Sequence, residues 1–186
     1  MRKYLARRAI RAFGARYGYD VAYMHHMLET APAAFFRFAQ AARLARHRDA
    51  ASRDAAFAAK LVGALAEDCG PCVQLVVDMA REAGMAPDQV QAVLTRDIAR
   101  MGIDTALGFR FADAVARRDP AADAARDAVR ARWGEAGVLD LTLSVQIGRL
   151  FPMVKMGLGY AHSCQRVRVD DRPVDVIGAA AVPQAA

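Results

Sequence analysis

Apolar residues recur at helical spacing almost from the start of the chain. Tyr4, Leu5, Ile10 and Phe13 share a stripe, Gly14 and Gly18 loosen it, and Asp20 stands where a carboxylate caps a second helix. Thr30 and Pro32 mark the next start, followed by a stripe of Phe35, Phe36, Phe38 and Leu44 and a basic turn over 43–48. A turn over 49–54 leads into a helix predicted over 54–67. Gly70 breaks that helix, and Pro71 suits the first turn of a new one, which points Leu75, Val76 and Met79 at a core and ends near Gly84. Pro87 and Asp88 open a shorter helix, Asp104 caps one running through Phe109 and Phe111 to Arg118, and Pro120 starts another. The stretch 139–150 is apolar on most sides and is expected to be the most buried helix, with Pro152 kinking or ending it. Beyond Arg166 the period is lost. A short strand is predicted over 167–169 and a disordered tail over 179–186.

The fold class is therefore all-α, a compact multi-helix domain over 1–165 with a C-terminal tail over 166–186 that is partly disordered. Its predicted core includes Leu61, Leu65, Leu75, Val76, Met79, Leu107, Phe111, Leu143, Val145 and Ile147. A composition that is 55% hydrophobic and rich in alanine favours helix. Charged residues interrupt every apolar run before it reaches the roughly 18 to 20 uncharged residues that span a bilayer, so no membrane-spanning segment is expected. The apolar surface over 138–150 exceeds what one neighbouring helix covers, which predicts a homo-oligomer.

The net charge of +6 gathers at the start, where Arg2, Lys3, Arg7, Arg8, Arg11 and Arg16 lie on one amphipathic helix over 1–18. A solvated basic stripe is the plain reading, and peripheral contact with an anionic membrane is the other. No aromatic-and-basic motif for nucleic acid follows. The helix runs into the periodic pattern behind it and lacks the apolar centre of a secretory signal, so it is expected to stay on the mature chain.

Three cysteines cannot all pair with one another, and a helix-rich chain of 186 residues does not need disulfide staples. A reducing, cytoplasmic setting is expected. In that setting the close pair in Cys69-Gly70-Pro71-Cys72 reads as catalytic or metal-binding. At a helix start the unsatisfied amides favour a thiolate, while the neighbouring Glu67 and Asp68 oppose one, and sequence leaves the net sign open. Two residues between the cysteines allow an intramolecular disulfide, with Cys164 left free. The thioredoxin motif has these four residues but needs a preceding strand, which the helical 57–66 does not supply. Zinc would need a second half-site, and His25, His26, His47, His162 and Cys164 form no compact one. His25 and His26 point about 100° apart on a helix, so packing explains them better than a shared metal. Trp133, Tyr17, Tyr19 and Tyr160 read as packing or interface residues. No cofactor and no metal are expected.

The helix leading into Glu67-Asp68-Cys69-Gly70-Pro71-Cys72-Val73-Gln74-Leu75, then the amphipathic stretch ending Arg81-Glu82-Ala83-Gly84, resembles the alkylhydroperoxidase D-like and carboxymuconolactone decarboxylase family. The likeness covers the middle third and extends more loosely to Ala161. It implies an all-helical, oligomeric protein that reduces hydroperoxides or exchanges disulfides, recharged by a dithiol reductant. It also implies that Cys72 is the attacking thiol and Cys69 the resolving one. The family's peroxidase pattern has a histidine four residues after the second cysteine and a glutamate twelve before the first; here those positions hold Val76 and Phe57. A general base contributes typically 10²- to 10⁴-fold, so turnover is expected to be weak, with Glu67 or a distant histidine as the substitute. The expected function is a thiol–disulfide oxidoreductase, weakly active on alkyl hydroperoxides, through Cys69, Cys72 and Glu67. The alternative is a non-catalytic helical scaffold with a vestigial cysteine pair.

Overall fold

Alanine decides where the centre of the molecule lies. The computed structural model describes residues 1–161 and 166–177. Among them are eight α-helices: α1 (Arg2–Tyr17), α2 (Ala22–Thr30), α3 (Pro32–Ala41), α4 (Arg53–Ala66), α5 (Gly70–Glu82), α6 (Pro87–Leu94), α7 (Ile103–Arg117) and α8 (Ala122–Gly157). One antiparallel hairpin follows, β1 (Arg166–Val169) and β2 (Arg172–Asp175). The mostly all-α class is as expected.

α4 is the hub. Ser52 caps its first turn by accepting from the Ala55 N–H, and nine of its 14 residues are buried, among them Ala55, Ala56, Ala58 and Ala59. Such a small-residue surface lets α7 and α8 approach closely, and glycines on those helices complete the fit. A Cβ on Gly108 of α7 would collide with the Ala55 backbone, and one on Gly148 of α8 with the Lys60 carbonyl. The expectation that 139–150 is the most buried helix is corrected accordingly. Leu139 is 53% exposed and Thr142, Leu143, Arg149 and Leu150 are half-buried, because α8 meets α4 and α7 on one side only.

Two further expectations for α8 change. Pro152 is buried within the helix and does not end it; the departure from helical geometry falls instead at Gly134, whose φ of 67° suits a residue without a Cβ. An 18-residue window of α8 also has a mean hydropathy of 1.2, so by length and composition this helix is apolar enough to cross a membrane, contrary to expectation. Of that window 44% is buried within the protein, where α8 packs along α4 and α7.

α5 uses a different face from the one expected. Cys72, Val73, Val77 and Ala80 are buried, while Leu75, Val76 and Met79 are half-buried. Of the other predicted core residues, Leu61, Leu65, Phe111, Val145 and Ile147 are buried, and Leu107 and Leu143 are half-buried.

The predicted strand is present, and it belongs to the packed structure. Val167 pairs with Val174 across the hairpin, and both are buried with Val169 against α5 and α6. Asp170 and Asp171 both have positive φ, as a two-residue hairpin turn requires. Gln74 ties β1 to α5 by accepting from the Arg168 N–H (2.7 Å) and donating to the Arg168 carbonyl (3.0 Å). The hairpin thus occupies the first part of what was expected to be tail; 179–186 lies outside the described residues.

α1, α2 and α3 form an outer layer with its own small core of Ile10, Leu28 and Phe35. Arg7 and Lys3 of the basic helix pair with Glu29 of α2, so part of the expected stripe is used internally.

Candidate functional site

The cysteine motif sits at the corner between the hub helix and α5. Asp68 turns the chain there with φ 47°, a left-handed conformation that aspartate tolerates better than most residues. Cys69 is the N-cap of α5, and its carbonyl accepts from the N–H groups of Cys72 and Val73, both at 2.9 Å. That geometry places Cys72 in the first turn with its Cα 5.2 Å from that of Cys69, and the two sulfurs form a disulfide. Both residues are deeply buried, 1% and 3% exposed.

Glu67 is paired across to α8. Its Oε1 lies 2.5 Å from Nε of Arg149 on α8, so the carboxylate is engaged by a guanidinium. Val76 and Phe57, at the positions of the family's histidine and glutamate, are half-buried apolar residues packed against the core.

The group that does touch the motif comes from the outer layer. Tyr19, in the turn between α1 and α2, is 6% exposed, and its hydroxyl lies 3.6 Å from Cys72 Sγ. A disulfide sulfur carries no hydrogen, so Tyr19 donates. Burial pushes its hydroxyl up to about 12, which keeps the proton on oxygen at neutral pH. Its ring meets Tyr23 edge-on at 6.5 Å and Phe13 at 6.0 Å.

Behind the tyrosines stands Lys155 of α8. It is wholly buried, with Nζ 4.7 Å from the Tyr19 ring centre and 5.6 Å from that of Tyr23. Among the described residues Nζ of Lys155 has no hydrogen-bond partner. Burial lowers the Lys155 ammonium, and Asp20 pulls it the other way. Neither Tyr19 nor Lys155 was singled out for this role by the sequence, although a lysine amid the apolar 150–158 is the signal that points to one.

The remaining candidates disperse. His47 lies 3.4 Å from Asp140 and far along the chain from the motif, His25 is half-buried, and exposed His26 faces Tyr160 at 5.8 Å. His162 and Cys164 lie outside the described residues. Among the described residues no cluster of three or more metal-ligating side chains occurs. A cleft of about 340 Å³ opens between α5 and the hairpin, lined by Gln74, Asp78, Arg81, Arg168, Asp170 and Asp171, but neither cysteine lines it and Arg81 is paired with Asp170 inside it.

What the arrangement offers chemically is one redox-capable sulfur pair with an oriented hydroxyl on one sulfur and a buried amine behind that hydroxyl. No family model, no curated protein and no solved structure matches the chain.

Proposed function

We propose that the protein is a thiol–disulfide oxidoreductase in which Cys69 and Cys72 cycle between disulfide and dithiol. The observation that carries this reading is the disulfide itself, closed across the first turn of α5, where the helix amides favour a thiolate when the bond opens. In the oxidative half-cycle the dithiol gives two electrons and two protons to an external disulfide, yielding two thiols, or to a hydroperoxide, yielding an alcohol and water. A dithiol reductant restores the pair. The likeness to the alkylhydroperoxidase D-like family supports the same chemistry, with Cys72 attacking and Cys69 resolving, in a reducing compartment and in a homo-oligomer.

The scaffold reading, with the cysteine pair a structural staple, is favoured by the burial of both sulfurs. The two differ in how the disulfide meets a reductant. An enzyme's disulfide opens to reductant in the folded chain, whereas a staple opens only on unfolding.

The test is reduction of the full chain by dithiothreitol at neutral pH, with thiols counted by mass spectrometry and folding followed by circular dichroism. Reduction in the folded state, followed by reoxidation with a small disulfide or cumene hydroperoxide, supports the oxidoreductase. Cys72→Ser should then abolish turnover, and Cys69→Ser should leave a sulfenic acid on Cys72 that a trapping reagent detects. Reduction that tracks unfolding would assign the scaffold.

A further inference from the structure

Lys155 presents a problem that packing does not solve. A buried amine without a hydrogen-bond partner is unfavourable, and such an orphan in a folded protein calls for a use. The lysine is not needed to fill space, since methionine has similar bulk without the polar head. Both aromatic faces beneath it attract a cation, and the Asp20 carboxylate in the neighbouring turn favours its charge, but none of them is hydrogen-bonded to the amine.

The opening of the disulfide supplies a further negative charge. When the thiolate of a donor dithiol attacks Cys69 Sγ, the S–S bond breaks and Cys72 leaves with the electron pair. The donor's second thiol, deprotonated, then displaces Cys69 from the mixed disulfide, and the released proton goes to the Cys69 sulfur. The donor ends as its disulfide, and the negative charge left on Cys72 lies within reach of one hydroxyl, that of Tyr19.

Resting on that redox reading, we infer that Tyr19 is a catalytic residue whose hydroxyl stabilises the Cys72 thiolate, and that Lys155 is the positioning cation which makes it a stronger donor. The sulfur–oxygen distance of 3.6 Å in the oxidised protein already sets the hydroxyl on the leaving sulfur. Lys155 acts through the ring of the same tyrosine, 4.7 Å away, and meets the new negative charge in the reduced state. The tyrosine pKa of about 12 makes it a donor throughout the physiological range. These side chains replace in function the histidine that the motif lacks at Val76.

Among the described residues, several charged and titratable groups flank this pocket. From the turn, Asp20 accepts from the Ala22 N–H; from α2 comes Tyr23; from α5 come the cysteines and Glu82, which takes the Arg16 guanidinium and the Tyr17 hydroxyl; Glu67 is engaged by Arg149. Asp68 flanks the pair at the α4–α5 corner.

The experiment uses the full chain equilibrated with dithiothreitol redox buffers between pH 5 and 9, with thiols trapped in acid and counted by mass spectrometry. The pH at which reduction changes from uptake of two protons to uptake of one reports the more acidic thiol. In the wild type this break should lie below the ordinary thiol value of about 8.5. Tyr19→Phe should move it to about tenfold lower proton concentration, and Lys155→Met to about fivefold lower, whereas Lys155→Arg, which keeps the charge, should restore most of the wild-type value. A merely structural role would move the melting temperature of these variants and leave the break in place. An unchanged break in Tyr19→Phe and Lys155→Met, with the wild type still exchanging disulfides, overturns this inference and leaves the proposed function standing. A wild-type disulfide that resists dithiothreitol until the chain unfolds overturns both, and that result is seen without any variant.

Discussion

Glu67 Oε1 lies 2.5 Å from Arg149 Nε, and this pair joins the end of the hub helix to α8 just before the cysteine motif. The carboxylate that sequence nominates as a proton acceptor is thereby occupied in holding two helices. Glu67→Gln should therefore cost about 1 kcal/mol in urea denaturation, in the range for a partly buried ion pair, while the rate of disulfide exchange stays within about twofold of the wild type. A loss of exchange of 10²-fold or more would instead return Glu67 to the chemistry.

Stability should peak in mildly alkaline solution. Burial pushes the Lys60 ammonium down to about 8, with Arg48 adding repulsion, and burial lowers Lys155 in the same sense. Unfolded, both return to about 10.5, so between pH 8 and that value the unfolded chain binds more protons and stability rises with pH. Tyr19 and Tyr23 act oppositely, because burial raises both above 10 and the folded chain keeps protons that the unfolded one releases. Thermal melting of the oxidised protein should thus improve from pH 7.5 toward 9.5 and decline above about 10. A Lys60→Met variant should show a shallower rise.

Asp140 should be among the most sensitive positions in the chain. Its carboxylate is buried, which alone raises its pKa, but the N–H groups of Ala50, Ala51 and Asp49 and the nearby His47 outweigh burial and hold it below the ordinary value. Its Oδ2 accepts from Ala50 at 2.7 Å and from Ala51 at 2.9 Å, fixing the loop that leads into α4. Asp140→Ala leaves these donors without an acceptor and should cost about 3 kcal/mol in equilibrium unfolding. Because the folded pKa is lowered, this stabilisation is present in full above about pH 4 and fades as pH falls through the folded value.

The glycine contacts make an equally direct expectation. A methyl group on Gly108 or Gly148 would run into backbone atoms of α4, which cannot move aside as a flexible side chain does. Gly108→Ala and Gly148→Ala should each lose about 3 kcal/mol, at the upper end for overpacking, whereas Gly157→Ala, with open space around it, should be nearly neutral. Matched melting curves of the three variants decide this.

Helix placement was legible because Pro32, Pro71 and Pro87 open helices where their ring suits the first turn. The identity of the hub was not. Hydrophobicity summed per residue favours 139–150, whereas burial in α4 follows from small size, since Ala55, Ala58 and Ala59 bring neighbouring backbones close. On α5 apolar residues at 72, 73, 75, 76, 77, 79 and 80 surround most of the helix, so the period alone does not choose a face. For the site, the sulfur pair was read from its spacing, but Tyr19 and Lys155 reach it from opposite ends of the chain, a relation that only folding creates. A clue did lie in α8. Within its apolar second half stand Asp140, Arg149 and Lys155, and each meets a separate polar partner or aromatic face.

The hub helix is made early in synthesis and completed late. Its close-fitting neighbours α7 and α8, and the Asp140 carboxylate that fixes the loop before it, lie at residues 103 to 157. While the ribosome adds these residues, at about 5 to 20 each second, α4 emerges with its alanine face uncovered for several seconds. That face is apolar but shallow and offers little to a wrong partner. A hub built from leucine would bury more area in the finished protein and leave a far stickier surface on the unfinished one.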